Sequence, residues 1–122
     1  MSRNIKVLIC DDSILVRKQM KDHLTALGNI DFDEAVNGIQ AVEKFKSFGP
    51  DLVFMDIVMP EKTGLEALID ILKIDKNARV VMASSVGTQS KLKEAIEVGA
   101  YDFLQKPIEM KQIDKILNTI SI

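Results

Sequence analysis

Polar side chains that could take part in catalysis follow four short, mostly apolar segments of the chain. Asp11 and Asp12 follow the first of these segments, and Asp56, Ser84 and Lys106 each follow a later one. Taken singly, each aspartate could be a cap or turn residue, the serine a turn hydroxyl and the lysine part of a loop. Taken together, three carboxylates, one hydroxyl and one ammonium group have the composition of an acidic, cation-binding pocket.

The carboxylates of such a pocket would favour a divalent cation. Crowded like charges raise one another's pKa unless a cation neutralises them, and hard oxygen ligands with room for water suit Mg²⁺. We expect Asp12 and Asp56 to be direct ligands, with Asp11 acting through water. The remaining oxygen of Asp56 could attack an in-line phosphoryl group and form an aspartyl phosphate, while Lys106 and Ser84 hold the phosphoryl oxygens.

The apolar segments that carry these residues predict strands. The segment 52–55 is a run of large apolar residues between Asp51 and the turn at Pro60, which is typical of a parallel strand buried on both faces. Further strands are predicted at 5–10, 30–35, 78–84 and 101–105, the second of them at a sheet edge because apolar and acidic residues alternate in it.

Helical periodicity predicts a helix after each strand. The helices begin at Ser13 (as N-cap), near Ile39, after Gly64, near Gln89 and near Glu109. Alternating strands and helices indicate an α/β fold with a parallel sheet covered on both faces. Because all carboxyl ends of parallel strands lie at one edge, the polar residues are expected to meet there.

Composition limits the class of protein. The chain has 122 residues, a formal net charge of −2 and a single cysteine. We therefore expect one domain over residues 1–122, neither nucleic acid nor a membrane as partner, no internal disulfide and a cytoplasmic location. Cys10 is expected to pack in the core at a strand end, and His23 to be a solvated surface residue.

Other phosphate-binding motifs are absent from the sequence. Asp11, Asp12 and Ser13 stand where a P-loop would need glycines and lysine, and two carboxylates at that turn would repel a flavin phosphate. Neither Gly-x-Gly-x-x-Gly nor Gly-x-Ser-x-Gly occurs.

The motif set resembles the receiver domain of two-component response regulators. The resemblance rests on Asp11–Asp12, on Asp56 followed by Met59–Pro60, on Ser84 and on Lys106–Pro107. It implies a flavodoxin-like (βα)5 doubly wound fold with five parallel strands in the order 2-1-3-4-5. It also implies a cis peptide at Lys106–Pro107.

The same resemblance implies a phosphorylation switch. Asp56 would accept phosphate from a histidine kinase, with Mg²⁺ held by Asp12, Asp56 and the backbone carbonyl of Val58. On phosphorylation Ser84 would move toward the phosphoryl group and Phe103 would turn inward, which shifts a population toward the active form. The protein would catalyse only its own phosphorylation and dephosphorylation.

The end of the sequence at Ile122 suggests a stand-alone regulator of the chemotaxis kind, with no effector domain. Its output would be docking of the fourth helix, fifth strand and fifth helix on a downstream target, such as a motility protein. Val58 and Val86, two residues after Asp56 and Ser84, predict slow self-dephosphorylation and dependence on a phosphatase. Two alternatives stay open: a phosphorelay intermediate that passes phosphate to a histidine phosphotransfer protein, and a Mg²⁺-dependent phosphatase with an aspartyl-phosphate intermediate.

Overall fold

Strands and helices alternate along the chain in the computed structural model, which describes residues 3–120. The strands are β1 (Ile5–Cys10), β2 (Ile30–Ala35), β3 (Leu52–Asp56), β4 (Val80–Ser84) and β5 (Asp102–Gln105). The helices are α1 (Ile14–Leu27), α2 (Gly38–Phe48), α3 (Gly64–Ile74), α4 (Gln89–Val98) and α5 (Met110–Leu117), with a 3₁₀ turn at Val86–Thr88 before α4.

The five strands form one parallel sheet in the order β2-β1-β3-β4-β5. This confirms the predicted α/β class, the flavodoxin-like strand order and the edge position of the second strand. The order places β1 beside β3, with Cys10 opposite Met55, and β3 beside β4, with Asp56 opposite Ala83. The residues that follow β1 and those that end β3 and β4 therefore lie next to one another.

Two apolar layers sandwich the sheet. Helices α2, α3 and α4 cover one face, where Leu8 and Cys10 of β1 point, and α1 and α5 cover the other face, where Val7 and Ile9 point. Every residue of β3 is buried, as its apolar run predicts. The strand that ends in Asp56 is thus fixed by packing on both sides.

Local signals set where the helices begin. The Ser13 hydroxyl accepts a hydrogen bond from the Val16 N–H at 3.2 Å and caps α1, as predicted. Thr63 and Glu66 form a reciprocal capping box at the start of α3. Both caps lie in loops at the carboxyl edge of the sheet, so they also shape the site.

Two strand boundaries differ from the prediction. The fourth strand begins at Val80 and not at Ala78, because the Ala78 N–H donates to the Asp75 carbonyl in a turn at 3.0 Å. The fifth begins at Asp102, although the Tyr101 N–H still donates to the Val80 carbonyl at 2.8 Å.

The expectation that His23 is a solvated surface residue is wrong. Its side chain is 21% exposed, and Nε2 lies 2.6 Å from Oδ1 of Asp114. This pair links α1 to α5 on the face that both helices cover. The predicted core position of Cys10 is confirmed, and burial raises the pKa of its thiol far above the usual range.

None of the helices in residues 3–120 has the combination of length and hydropathy that a bilayer-spanning helix requires.

Candidate functional site

Three aspartates meet at the carboxyl edge of the sheet. Asp11 and Asp12 follow β1, Asp56 ends β3, and one carboxylate oxygen from each lies within 4.8 Å of the others. Asp11 and Asp56 are buried, whereas Asp12 is exposed. The pocket is therefore acidic, closed at its floor and open to solvent on the side of Asp12.

Lys106 bridges the two buried carboxylates. Its Nζ lies 3.0 Å from Oδ2 of Asp11 and 3.2 Å from Oδ2 of Asp56. The peptide between Lys106 and Pro107 is cis, as the resemblance implied. The lysine follows β5, and its N–H donates to the Ser84 carbonyl at 2.7 Å, which ties its backbone to the end of β4.

Burial and crowding shift the protonation of this cluster. Burial raises the pKa of Asp56 above its ordinary value and the charge of Asp11 raises it further, against the opposing effects of Lys106 and of the Val58 N–H. Burial also acts to lower the pKa of Lys106, but its hydrogen bond to Asp11 and the charge of Asp56 outweigh this, so that pKa is raised. The pocket thus holds excess negative charge that a cation would relieve.

Asp11 is the most fully bonded of the three carboxylates. Its Oδ1 accepts the Ser13 N–H at 2.9 Å, its Oδ2 accepts Lys106, and its backbone carbonyl accepts Nη1 of Arg17 at 2.8 Å. With both carboxylate oxygens engaged, Asp11 is less suited to direct metal ligation than Asp12 or Asp56.

Ser84 lies at the same edge, but its hydroxyl is engaged away from the carboxylates. Oγ is 3.0 Å from Oγ1 of Thr88 and donates to the Ser85 carbonyl at 3.2 Å. Sequence reasoning missed Thr88, although a hydroxyl residue four positions after the serine, in the turn that leads into α4, is a usable signal.

Three apolar or aromatic side chains that lie near the site residues in sequence are exposed to solvent. The exposed fractions of Val58 and Val86 are 59% and 85%, and that of Phe103 is 43%. Tyr101 is a separate feature, because its hydroxyl lies 2.6 Å from Oγ1 of Thr119 just after α5. The exposure of Phe103 indicates that its ring is turned outward.

The donors present fit a magnesium ion. Mg²⁺ prefers oxygen ligands, keeps several waters and is commonly held by one or two carboxylates in phosphate-handling sites. Asp12 and Asp56 offer such carboxylates beside the engaged Asp11, and within residues 3–120 this is the acidic trio close enough to hold an ion. The excess negative charge of the pocket also favours a bound cation.

Comparison with known proteins bears on this geometry. A family model described as "Response regulator receiver domain" matches residues 7–118. The chain belongs to this family. The match runs from β1 to the residue after α5 and so includes all the residues of the pocket.

Two individual relatives indicate which kind of receiver domain the chain resembles. The chain is 44% identical over 116 residues to the chemotaxis protein CheY of Thermotoga maritima, covering 95% of this chain and 97% of that protein. It is 47% identical over 116 residues to the CheY of Bacillus subtilis, covering 95% of this chain and 94% of the relative. Thus the protein is a CheY-like receiver domain of a size that matches these relatives.

Solved structures agree with the family. The complex of CheX and CheY with BeF3 and Mg²⁺ from Borrelia burgdorferi contains a chain with TM-score 0.87 and 34% identity, covering 98% of this chain and 92% of that one. The response regulator domain of Thermotoga maritima CheB has TM-score 0.81 and 36% identity, covering 96% of this chain and 93% of that one.

Proposed function

We propose that this protein is a phosphorylation switch of the chemotaxis kind, in which Asp56 accepts phosphate from a histidine kinase. The observation that carries the proposal is the placement of the Asp56 carboxylate, at the end of a buried strand and in contact with Lys106, beside Asp11 and Asp12. The names of the relatives, chemotaxis protein CheY, support the pathway.

The chemical step is a phosphoryl transfer. A carboxylate oxygen of Asp56 attacks phosphorus as the bond from phosphorus to the donor histidine nitrogen breaks, and that nitrogen keeps the electron pair. The product is an acyl phosphate on Asp56. Asp12, Asp56 and the backbone carbonyl of Val58 would hold Mg²⁺, with Asp11 acting through water, and the ion would neutralise charge on the phosphoryl oxygens.

Lys106 is the protein's own counter-charge for this step. Its ammonium group already contacts Asp56 and would remain beside the phosphoryl oxygens attached to that residue. Ser84 would exchange its hydrogen bond with Thr88 for one with a phosphoryl oxygen. This exchange favours the active form only because the new bonds exist in that form alone.

The output is docking. Movement of Ser84 would leave room for Phe103 to turn inward and would reshape the surface formed by α4, β5 and α5. A downstream motility protein would bind that surface, and a phosphatase would reset the switch. The solved complex of CheX with the CheY of Borrelia burgdorferi supports the expectation of protein partners. The protein would act in the cytoplasm, where a histidine kinase has ATP, and would not turn over external substrates.

The decisive experiment is incubation with acetyl phosphate and Mg²⁺, followed by intact-mass and peptide mass spectrometry. We expect one phosphoryl group per chain, located on Asp56, and none in Asp56→Asn. Asp22→Asn is the matched control, because Asp22 is an exposed partner of Lys18 on α1 and should leave labelling unchanged.

Other results would redirect the assignment. Sustained release of phosphate from small phosphomonoesters would make the protein a phosphatase. Rapid transfer of the label to a histidine phosphotransfer protein would make it a relay intermediate. Labelling that survives in Asp56→Asn would refute Asp56 as the acceptor.

A further inference from the structure

We propose that Arg17 is a positioning residue for the cation site, because it holds the peptide that joins Asp11 to Asp12. This inference rests on the proposed function, since it concerns the ion that Asp12 and Asp56 would bind. Arg17 was not among the residues expected from the sequence to belong to the site.

The guanidinium group of Arg17 joins two elements. Nη1 donates to the Asp11 carbonyl at 2.8 Å and Nε donates to Oε1 of Glu34 at 2.9 Å. The side chain is only 13% exposed although it lies near the start of α1. A planar guanidinium held by two different acceptors has little freedom, which distinguishes it from a mobile surface ion pair.

Glu34 anchors the arginine on the edge strand. Its Oε2 accepts Nζ of Lys21 at 3.0 Å. Burial acts to raise the pKa of Glu34, but hydrogen bonds from Lys21 and Arg17 outweigh this and lower it, so the carboxylate is charged at neutral pH. Arg17 is thus held by a charged partner that is itself fixed in β2.

The residue whose carbonyl Arg17 contacts is also held at its N–H. The Asp11 N–H donates to the Ala35 carbonyl at 3.1 Å, one residue beyond Glu34. Strand β2 therefore holds Asp11 at its N–H directly and at its carbonyl through Arg17. Because that carbonyl belongs to the peptide preceding Asp12, its orientation sets where the exposed Asp12 carboxylate points.

This arrangement resembles the outer-shell support of metal ligands in general. Groups that orient a ligand without touching the ion commonly change metal affinity by about 10–100-fold when they are removed. Asp12 is exposed and receives no comparable packing, so its position depends on the backbone that carries it. Loss of the Arg17 contact should therefore weaken ion binding more than it weakens the fold.

The test compares two charge-conserving exchanges at adjacent positions of α1. Arg17→Lys keeps the charge but loses the two-acceptor geometry, whereas Lys18→Arg is a control at an exposed residue that pairs with Asp22. Isothermal titration with Mg²⁺ and electron paramagnetic resonance with Mn²⁺ give the dissociation constants. Thermal unfolding without metal gives stability separately.

We expect Arg17→Lys to raise the dissociation constant for Mg²⁺ about 10-fold, with Lys18→Arg unchanged. Glu34→Gln removes the charged anchor while keeping its shape, and should raise the constant several-fold. This second variant decides the question if Arg17→Lys does not fold. A purely structural role would lower the metal-free melting temperature and leave the dissociation constant unchanged.

The results separate the inference from the proposed function. If the unaltered protein, Arg17→Lys and Glu34→Gln bind Mg²⁺ with the same dissociation constant, the positioning role of Arg17 is refuted and the proposed function stands. If the unaltered protein binds no Mg²⁺ and is not labelled on Asp56 by acetyl phosphate, both are overturned.

Discussion

Lys106, Asp11 and Asp56 depend on one another at the scale of single residues. Both carboxylates are buried. The Lys106 ammonium group lies 3.0 Å from Oδ2 of Asp11 and 3.2 Å from Oδ2 of Asp56. Removing Lys106 would leave two buried negative charges uncompensated, which costs more than its ion pairs contribute. Apolar residues of similar volume are often as stable as a buried ion cluster, so its presence here supports the proposed chemical role.

Two exposed valines make a prediction about the lifetime of the phosphorylated form. Val58 and Val86 are exposed and lie two residues after Asp56 and Ser84, and their apolar side chains can neither orient a water molecule nor donate to one. We expect Val58→Asn and Val86→Glu each to speed dephosphorylation by about tenfold, below the ~100-fold that a well-positioned general base contributes. Decay of the label after removal of acetyl phosphate measures this rate.

The matched control for the valines is Val98→Asn, an exposed valine at the end of α4. The phosphorylated form of this variant should lose its phosphoryl group at the same rate as the unaltered protein. Equal decay rates in all four proteins would show that these valines do not limit access of water.

The turn between β3 and α3 is the element that presents Asp56. The Gly64 N–H donates to the Ile57 carbonyl at 2.9 Å, and a Cβ atom at Gly64 would overlap the backbone oxygen of Asp56. The turn also packs on α2, since the Gly38 N–H donates to the Lys62 carbonyl at 2.9 Å. A side chain at Gly64 would thus push Asp56, the proposed phosphoacceptor, out of place.

We predict that Gly64→Ala destabilises the protein by about 1–3 kcal/mol and slows labelling of Asp56. Urea unfolding and the rate of labelling by acetyl phosphate measure the two effects. Gly87→Ala is the control for stability, because a Cβ atom there meets nothing within 4 Å and the backbone is not left-handed. Equal stability of the two variants would mean that the turn relaxes around the added methyl group.

Two carboxylates whose pKa values shift in opposite directions predict how the stability of the whole molecule depends on pH. The pKa of Asp56 is raised on folding, so its ionisation favours the unfolded chain, and the cost is fully present above the folded pKa. Asp51 behaves oppositely, since its hydrogen bond from Arg3 lowers its pKa and its charge stabilises the fold. One carboxylate opposes folding at neutral pH and the other supports it.

We therefore expect Asp56→Asn to raise the melting temperature at neutral pH without divalent cations, and the gain to vanish below about pH 4. Asp51→Asn should lower the melting temperature at neutral pH, with the difference lost as pH falls through the lowered pKa of Asp51. Calorimetry across pH checks both. Mg²⁺ should raise the melting temperature of the unaltered protein and shrink its deficit relative to Asp56→Asn. A lower melting temperature for Asp56→Asn at neutral pH would contradict the sign.

Much of this fold can be predicted from local patterns in the sequence. The apolar run before Asp56 predicts a strand buried on both faces, and the alternation before Ala35 predicts an edge strand, because burial of each face dictates residue type. Once strands are parallel, their carboxyl ends must share an edge, and the meeting of Asp11, Asp12, Asp56 and Lys106 follows from the sequence without knowledge of any coordinates. The strand order came from family resemblance.

Tertiary structure decided which side chains pair. Arg17 with Glu34 spans 17 residues, and His23 with Asp114 spans 91, so neither pair leaves a periodic signal. The hydroxyl of Ser84 faces Thr88 because of how the turn before α4 folds back. Periodicity reports only whether a position faces the core or solvent, whereas a contact between two polar groups depends on the relative placement of whole helices and strands, which packing alone sets.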